Sequence, residues 1–140
     1  MKTILLPIDL NHKSSWERTI PQVVDLARLY GATVHVLTVI PDYGMSIVGS
    51  YFPKDFSQKA AERTRKDLDA LIAGNFPEDV TVQAHVKHGP VYREIIDAAE
   101  KYKAELIVMR SHRSEMKDYL LGPNAARVVR HAPQSVMVIR

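Results

Sequence analysis

The chain has 140 residues, of which 46% are hydrophobic and none is cysteine, and its formal net charge is +3. The length predicts one domain, 1–140, with one hydrophobic core, and the composition excludes a disordered chain, disulfides and thiolate metal sites. No apolar run approaches the roughly 20 residues that cross a bilayer, and the N-terminus lacks the pattern of a signal peptide, so we expect a soluble cytoplasmic protein without membrane contacts.

Positive charge is concentrated in the last quarter of the chain. Between residues 110 and 140, the basic side chains Arg110, Arg113, Lys117, Arg127, Arg130 and Arg140 outnumber the acidic Glu115 and Asp118. This distribution indicates either a solvated basic face or an anionic partner, namely a phosphate ligand or a nucleic acid.

The first half of the chain alternates apolar strands with amphipathic helices. The continuous apolar run 3–8 predicts a strand covered on both faces. Ser14 and Glu17 have the spacing of a capping box, and the helix predicted after them ends at Gly31. Residues 34–40, rich in β-branched side chains, predict the second strand.

A long connection and an edge strand follow. Residues 41–53 form a connection whose length is typical of a lid, a binding loop or a mobile segment. A second helix is predicted over 55–73 and closed by Gly74. Residues 80–87 alternate between apolar and polar side chains, which favours a strand with one solvent-facing side at the edge of a sheet.

The last part of the chain repeats the alternation of helix and strand. Gly89-Pro90 opens a third helix, since proline is tolerated in the first turn. Residues 105–109, which are continuously apolar from Leu106 to Met109, predict a second buried strand. A polar segment then leads to a fourth helix near Gly122, and Val136–Ile139 is the final strand.

This order of elements predicts the fold. Strands that alternate with helices form right-handed βαβ units, hence an α/β fold with a single doubly wound, five-stranded parallel sheet and helices on both faces. The first and fourth strands, which are apolar at nearly every position, must be central, and the alternating third strand belongs at an edge. The strand order 3-2-1-4-5 satisfies both conditions.

The same topology predicts where a ligand binds. In open parallel sheets, ligands lie beyond the carboxyl ends of the strands where the strand order reverses, here between the first and fourth strands. Those strands lead into Ile8-Asp9 and Arg110–Arg113, and the helix N-terminus at Gly122–Asn124 directs its free N–H groups to the same crevice. A carboxylate on one wall and cations on the other suit a ribose or base with a phosphate tail.

Simpler interpretations remain open for several of these residues. Asp9 could be only a turn or cap residue, and Arg110 could pair with Asp9 across an empty crevice. His112 and Arg113 could be solvated loop residues. His85 and His88 fit polar residues near a strand end better than metal ligands, since no third ligand is apparent.

The chain resembles the universal stress protein family over essentially its whole length. The resemblance rests on an ordered set of segments: Ile4–Asp9, Leu37–Ile40, Leu106–Met109 followed by Ser111-His112, the turn Leu120–Gly122, and Val128–Pro133 before the last strand.

The resemblance implies a ligand, an assembly and a set of site residues. It implies binding of ATP or a related adenine nucleotide, with or without Mg²⁺, a homodimer through Val136–Ile139, and a role in stress response. Asp9 would hold the adenosine and the main chain of Val39 would meet the adenine edge. The predicted binding set is Pro7, Ile8, Asp9, Val39, Met109, Arg110, His112, Arg113, Gly122, Pro123 and Asn124.

The phosphate loop departs from the family's ATP-binding pattern, Gly-x2-Gly-x9-Gly-Ser/Thr. Arg110 and Arg113 stand at the first two glycines, eight residues separate Arg113 from Gly122, and Pro123 replaces the hydroxyl residue. The chain is similar to a branch with a Ser-His-Arg loop and shorter spacing, which keeps serine after the glycine. A well-placed arginine can return about the 1.5–3 kcal/mol that one hydroxyl bond to phosphate supplies.

These features predict an adenine-nucleotide-binding (ATP, ADP or AMP) regulatory module that acts as a homodimer with a protein partner still to be identified. We expect no enzyme, because no Walker motif, carboxylate cluster for Mg²⁺ or general base is evident, and any ATP hydrolysis would be slow and incidental. The alternatives are a dimeric interaction module without nucleotide binding and a slow ATP hydrolase. Nucleic-acid binding ranks last, because exposed aromatic side chains are not interleaved with the basic ones.

Overall fold

The structure is a computed structural model that describes residues 1–41, 54–111 and 121–140, without the side chains of 54–57 and 121–123. Within these ranges strands and helices alternate along the chain, and a short 3₁₀ helix (Lys13–Ser15) precedes the first α-helix. The elements are β1 (Thr3–Ile8), α1 (Thr19–Tyr30), β2 (Thr33–Pro41), α2 (Lys54–Asn75), β3 (Val82–Gly89), α3 (Val91–Lys101), β4 (Leu106–Arg110), α4 (Leu121–His131) and β5 (Ser135–Ile139).

All five strands form one parallel sheet in the order β3-β2-β1-β4-β5, as predicted. The central strand β1 pairs on one side with β2 and on the other with β4, so that Ile4 lies opposite both Val34 and Leu106. Continuous apolar sequence therefore marks the centre of the sheet, and the alternating sequence of β3 marks its edge.

Two hydrophobic clusters cover the two faces of the sheet. Successive side chains of a strand point to opposite faces, so Ile4 joins a cluster with Val23 of α1 and Leu68 of α2. Leu5 joins the other cluster, with Ile95 of α3 and Val128 of α4. Helices on both faces are thus confirmed, and β1 is buried because both of its faces are covered.

The start of α1 differs from the prediction. Ser14 and Glu17 do not form a capping box: the 3₁₀ helix occupies residues 13–15, and α1 begins only at Thr19. Arg18 is the N-cap residue and makes no side-chain capping bond. The hydroxyl that matters in this segment belongs to Ser15, which bonds the backbone of Asp9 instead of a helix N-terminus.

Of the two glycines predicted to end helices, only one does so. Gly31 follows α1 with φ of 64° in the left-handed region, which glycine adopts without steric cost. Gly74 lies inside the last turn of α2, so the prediction that it closes this helix is wrong.

Substitution of these two glycines by alanine is expected to have opposite effects. A Cβ at either position meets nothing within 4 Å. The effect of each substitution on stability therefore depends on the backbone conformation alone. Gly31→Ala should lower the free energy of unfolding by about 1 kcal/mol because φ is positive, whereas Gly74→Ala should raise it by about 0.5–1 kcal/mol. Urea denaturation of both variants measures the two changes in the free energy of unfolding. Equal changes would contradict the assigned backbone conformations.

Candidate functional site

The carboxyl ends of β1 and β4 lie side by side at the point where the strand order reverses. The chain leaves β1 toward α1, which packs with the cluster around Ile4. It leaves β4 toward α4, which packs with the cluster around Leu5 on the opposite face. The two connections diverge, and this divergence opens the crevice in which doubly wound sheets bind ligands.

Asp9, directly after β1, is a buried carboxylate held in a tight turn. Its side chain is only 4% exposed. Oδ1 accepts a hydrogen bond from the N–H of Asn11 at 3.0 Å, and Oδ2 lies 2.9 Å from Nδ1 of His12. His12 also donates its backbone N–H to the carbonyl of Asp9 at 3.0 Å. These contacts support the turn interpretation of Asp9, and they fix its carboxylate in one orientation at the crevice.

Ser15 stabilises this turn by hydrogen bonds to the backbone of Asp9. Its side chain is fully buried, its Oγ accepts the N–H of Asp9 at 2.9 Å, and its hydroxyl donates to the carbonyl of Asp9 at 2.9 Å. Thr19 in turn donates its hydroxyl to the Ser15 carbonyl at 3.0 Å. Sequence reasoning missed both His12 and Ser15; polar residues three and six positions after a strand-ending aspartate were the available signal.

The end of β1 is also held from the neighbouring strand. Buried Thr38 of β2 donates its hydroxyl to the carbonyl of Ile8 at 3.0 Å. A polar side chain inside the sheet is therefore satisfied by a main-chain acceptor, as buried polar groups require. The last residues of β1 are thus held by β2, through strand pairing and through Thr38, before the Asp9 turn begins.

Arg110, the last residue of β4, is buried with only 6% of its surface exposed. Its Nη1 donates to the carbonyl of Ile139 at 3.5 Å, and the same carbonyl accepts the N–H of Ser111 at 2.9 Å. The Nε of Arg110 is buried and has no hydrogen-bond partner among the residues that the structure describes. Among the described residues Arg110 forms no ion pair with Asp9, so the interpretation that they neutralise each other is wrong.

The other predicted site residues fall into three groups. The side chains of Pro7, Ile8 and Met109 are buried, so only their main chains are available to a ligand. Val39 is half-buried and packs against the cluster of α3 and α4. Asn124 is half-buried at the start of α4, where the backbone of Gly122 and Pro123 is also helical. His112, Arg113 and nearly all of the 41–53 connection lie outside the described residues.

His85 lies in the middle of β3 rather than at its end, and it is paired. Its Nε2 is 2.8 Å from Nδ1 of His35 on β2. The ring of Tyr102 lies nearly parallel to both imidazoles, with centroid distances of 4.0 Å to His85 and 4.8 Å to His35. Over the described ranges no group of three or more His, Asp or Glu side chains is arranged to hold a metal ion.

This pair is expected to make folding sensitive to acid. Burial, followed by the charges of His35 and nearby cations, lowers the pKa of His85 from 6.5 to about 4. The unfolded chain therefore binds a proton at His85 below pH 6.5, whereas the folded chain resists it. The stabilisation is complete above pH 6.5 and is lost as the pH falls toward 4.

The matched measurement compares the wild type with His85→Gln between pH 7 and pH 4. Because His85 is partly exposed, we expect the wild type to lose only on the order of 1 kcal/mol more unfolding free energy than the variant over this range. If the unfolding free energies of the two proteins changed in parallel with pH, the pair of His35 and His85 would not resist protonation.

Within the described ranges, no helix combines the length and the apolar character that a bilayer crossing requires.

Several relatives match the chain over nearly its full length. Universal stress protein G of Escherichia coli O157:H7 is 28% identical over 142 residues, covering 99% of each chain. Universal stress protein G of Salmonella typhimurium is 29% identical over 143 residues, again covering 99% of each chain.

Solved structures share the fold. The protein MJ0577 superposes with a TM-score of 0.78 at 24% identity, covering 99% of this chain and 94% of that one. A universal stress protein in complex with cAMP gives a TM-score of 0.65 at 19% identity, covering 99% and 96%. The profile of the universal stress protein family matches residues 1–140. The chain therefore belongs to the universal stress protein family.

Proposed function

We propose that this protein is an adenine-nucleotide-binding regulatory module of the stress response, acting in the cytoplasm. The observation that carries the proposal is the pair of buried, oppositely charged groups at the carboxyl ends of β1 and β4, Asp9 and Arg110, which do not neutralise each other. A family member of the same fold has been solved with cAMP bound, which agrees with an adenine nucleotide as the ligand class.

The energetics of Arg110 favour an anionic ligand. A buried guanidinium is costly unless its donors are used, and its one hydrogen bond in the described part of the chain, to Ile139, is long at 3.5 Å. A phosphate that accepts from this group would form a charge-assisted bond, about twice as strong as a neutral one. The residue that replaces a family glycine is thus suited to the phosphate end of a nucleotide.

Asp9 suits the opposite end of the nucleotide. Each oxygen of a carboxylate can accept two hydrogen bonds, so the single bonds from Asn11 and His12 leave capacity for ribose hydroxyls. The turn already orients the carboxylate, which reduces the entropy that a ligand must offset on binding. Magnesium, where present, would be held mainly through ligand phosphates and water, the usual arrangement for this ion.

We propose signalling rather than catalysis as the role of this site. In the described part of the site, the acid–base side chains Asp9 and His12 are hydrogen-bonded to each other and serve the turn. The expected consequence of binding is a change in shape or partner choice. A slow, incidental hydrolysis of ATP would be compatible with this role.

Calorimetric titration with ATP, ADP and AMP, after removal of any co-purified nucleotide, tests the proposed function. We expect micromolar binding by the wild type and by Arg28→Gln, a matched control that removes an arginine near the N-terminal ends of the strands. Absence of binding by folded protein at millimolar nucleotide would overturn the proposal and leave a dimeric interaction module as the function to pursue.

A homodimer through β5 is the second part of the proposal. β5 is an edge strand of the sheet, and its Val138 is 37% exposed, while Val129 on the preceding α4 is 52% exposed. An exposed apolar edge strand invites pairing with a second copy. Sedimentation at micromolar concentration should show a dimer for the wild type and a monomer for Val138→Lys; a monomeric wild type would contradict it.

A further inference from the structure

The strand β3 has one side that no described strand covers. It pairs with β2 alone and stands at the end of the sheet order, and its residues are mostly half-buried. The stretch 82–86 contains no proline, lysine, arginine or acidic residue, the residues with which many sheets protect an edge. Such a strand presents a row of N–H and C=O groups to an incoming extended chain.

The hydrogen bonds to β2 show which backbone groups of β3 point outward. The N–H of Val34 on β2 donates to the carbonyl of Thr81, just before β3, at 2.9 Å. In a strand, the N–H and C=O of one residue point to the same side, and successive residues alternate. Gln83 and His85 therefore point toward β2. The groups that point away from it belong to Val82, Ala84 and Val86, which together form what we call the β3 edge.

A groove of about 490 Å³ lies between α2 and the β3 edge. Its apolar lining comes from Val82, Ala84 and Ile72 of α2, which pack at the border of the hydrophobic core. Arg65 and Asp69 of α2 also line it, and they bind each other with Nε to Oδ1 at 3.2 Å. Because these two charges are already paired, the groove suits apolar side chains.

The opposite face of the β3 edge is positively charged. Lys87 shares this face with His85, since the two residues lie two positions apart on one strand. The ring of Tyr102 on α3 covers His85, and the Nζ of Lys101 lies 5.6 Å from the centre of that ring. Burial and, to a smaller extent, the charges of nearby Lys87 and Lys101 lower the pKa of His85. Among the described residues neither lysine forms an ion pair, so this face suits acidic side chains.

We propose that the β3 edge binds an extended segment of a partner protein in which apolar and acidic side chains alternate. The segment adds a strand to the sheet through main-chain hydrogen bonds. Successive side chains of a strand point to opposite faces, so the apolar ones enter the groove beside Ile72 and the acidic ones lie beside Lys87 and Lys101. The strand β2 separates this surface from the crevice between β1 and β4, and the inference does not depend on nucleotide binding.

Titration with capped synthetic peptides tests the proposal. A peptide of four Glu-Val repeats should bind the wild type about tenfold or more tightly than four Lys-Val repeats or four Glu-Ser repeats. Lys87→Glu should lose most of the preference for the acidic peptide. Arg130→Glu, which makes the same change of charge at an exposed position of α4, should keep it. An affinity for either control peptide equal to that for the Glu-Val repeats, or a preference that survives in Lys87→Glu, would overturn the proposal.

A proline at the centre of the β3 edge tests the main-chain hydrogen bonds. Ala84→Pro removes an outward N–H and should abolish binding, because proline is tolerated at an edge position whose N–H faces solvent. Ala84→Ser keeps this N–H and should bind the Glu-Val peptide as the wild type does. Wild-type affinity in folded Ala84→Pro would contradict strand addition.

Hydrogen exchange of the wild type locates the bound peptide without any variant. At about nine-tenths saturation with the Glu-Val peptide, exchange at the amides of Val82, Ala84 and Val86 should slow about tenfold, whereas Gln83 and His85 should change little. Protection elsewhere, with these three amides unchanged, would overturn the proposal. Protection of the three amides before peptide is added would show that the chain itself or a second copy already covers the edge, which would overturn it as well.

Discussion

Asp9→Ala is expected to weaken AMP binding by at least about tenfold and to lower the free energy of unfolding by about 2 kcal/mol. The substitution removes the proposed acceptor for ribose hydroxyls. It also removes the two contacts of the turn, from the N–H of Asn11 and from the ring of His12. Calorimetric titration and urea denaturation of the same preparation measure the two losses separately.

Ser15→Ala separates the role of the carboxylate from the role of the turn. This change deletes the two hydroxyl bonds to the backbone of Asp9 and keeps the carboxylate. We expect a comparable loss of stability, about 1–3 kcal/mol, with a much smaller loss of AMP affinity than in Asp9→Ala. If both variants lost the same affinity, the role of Asp9 would be to build the turn alone.

Ile107→Ala is expected to cause the largest loss of stability, about 3–4 kcal/mol within the usual 2–5 kcal/mol for truncation of a buried aliphatic side chain. Ile107 is fully buried on β4 and lies opposite Leu5 of β1 and Val136 of β5. Its loss leaves a cavity in the centre of the sheet, beneath α3 and α4, where rigid strands limit collapse.

The matched control is Leu29→Ala on α1. Leu29 is 73% exposed, so its truncation removes a similar volume without opening a cavity. Its effect should stay within about 0.5 kcal/mol. Urea denaturation with unchanged m-values measures both changes, and a loss below about 1 kcal/mol for Ile107→Ala would contradict the central position of β4.

The strand order could be predicted because the burial of a strand determines the pattern of apolar and polar residues along it. Residues 3–8 and 105–109 are apolar at nearly every position, as central strands of a parallel sheet must be, whereas residues 80–87 alternate. These patterns, together with the handedness of βαβ units, leave few arrangements. The position of the crevice between Asp9 and Arg110 then follows from topology.

The contacts inside the crevice could not be predicted, because they depend on three-dimensional geometry that no spacing encodes. Ser15 bonds the backbone of Asp9, whereas the Ser14 and Glu17 pattern had pointed to a helix cap. The side of the Arg110 guanidinium that meets Ile139 is likewise set by the pairing of β4 with β5. The contact between His35 and His85 joins residues 50 positions apart.

Amide chemical-shift changes on addition of ATP to the folded protein show directly where the nucleotide binds. We expect the largest changes at the carboxyl ends of β1 and β4, in residues 8–12 and 110–111. The natural comparison is the groove of about 350 Å³ lined by Arg28, Gly31 and Thr81 near the N-terminal ends of the strands. Largest changes in that groove, with residues 8–12 and 110–111 unchanged, would contradict a nucleotide site at the switch point.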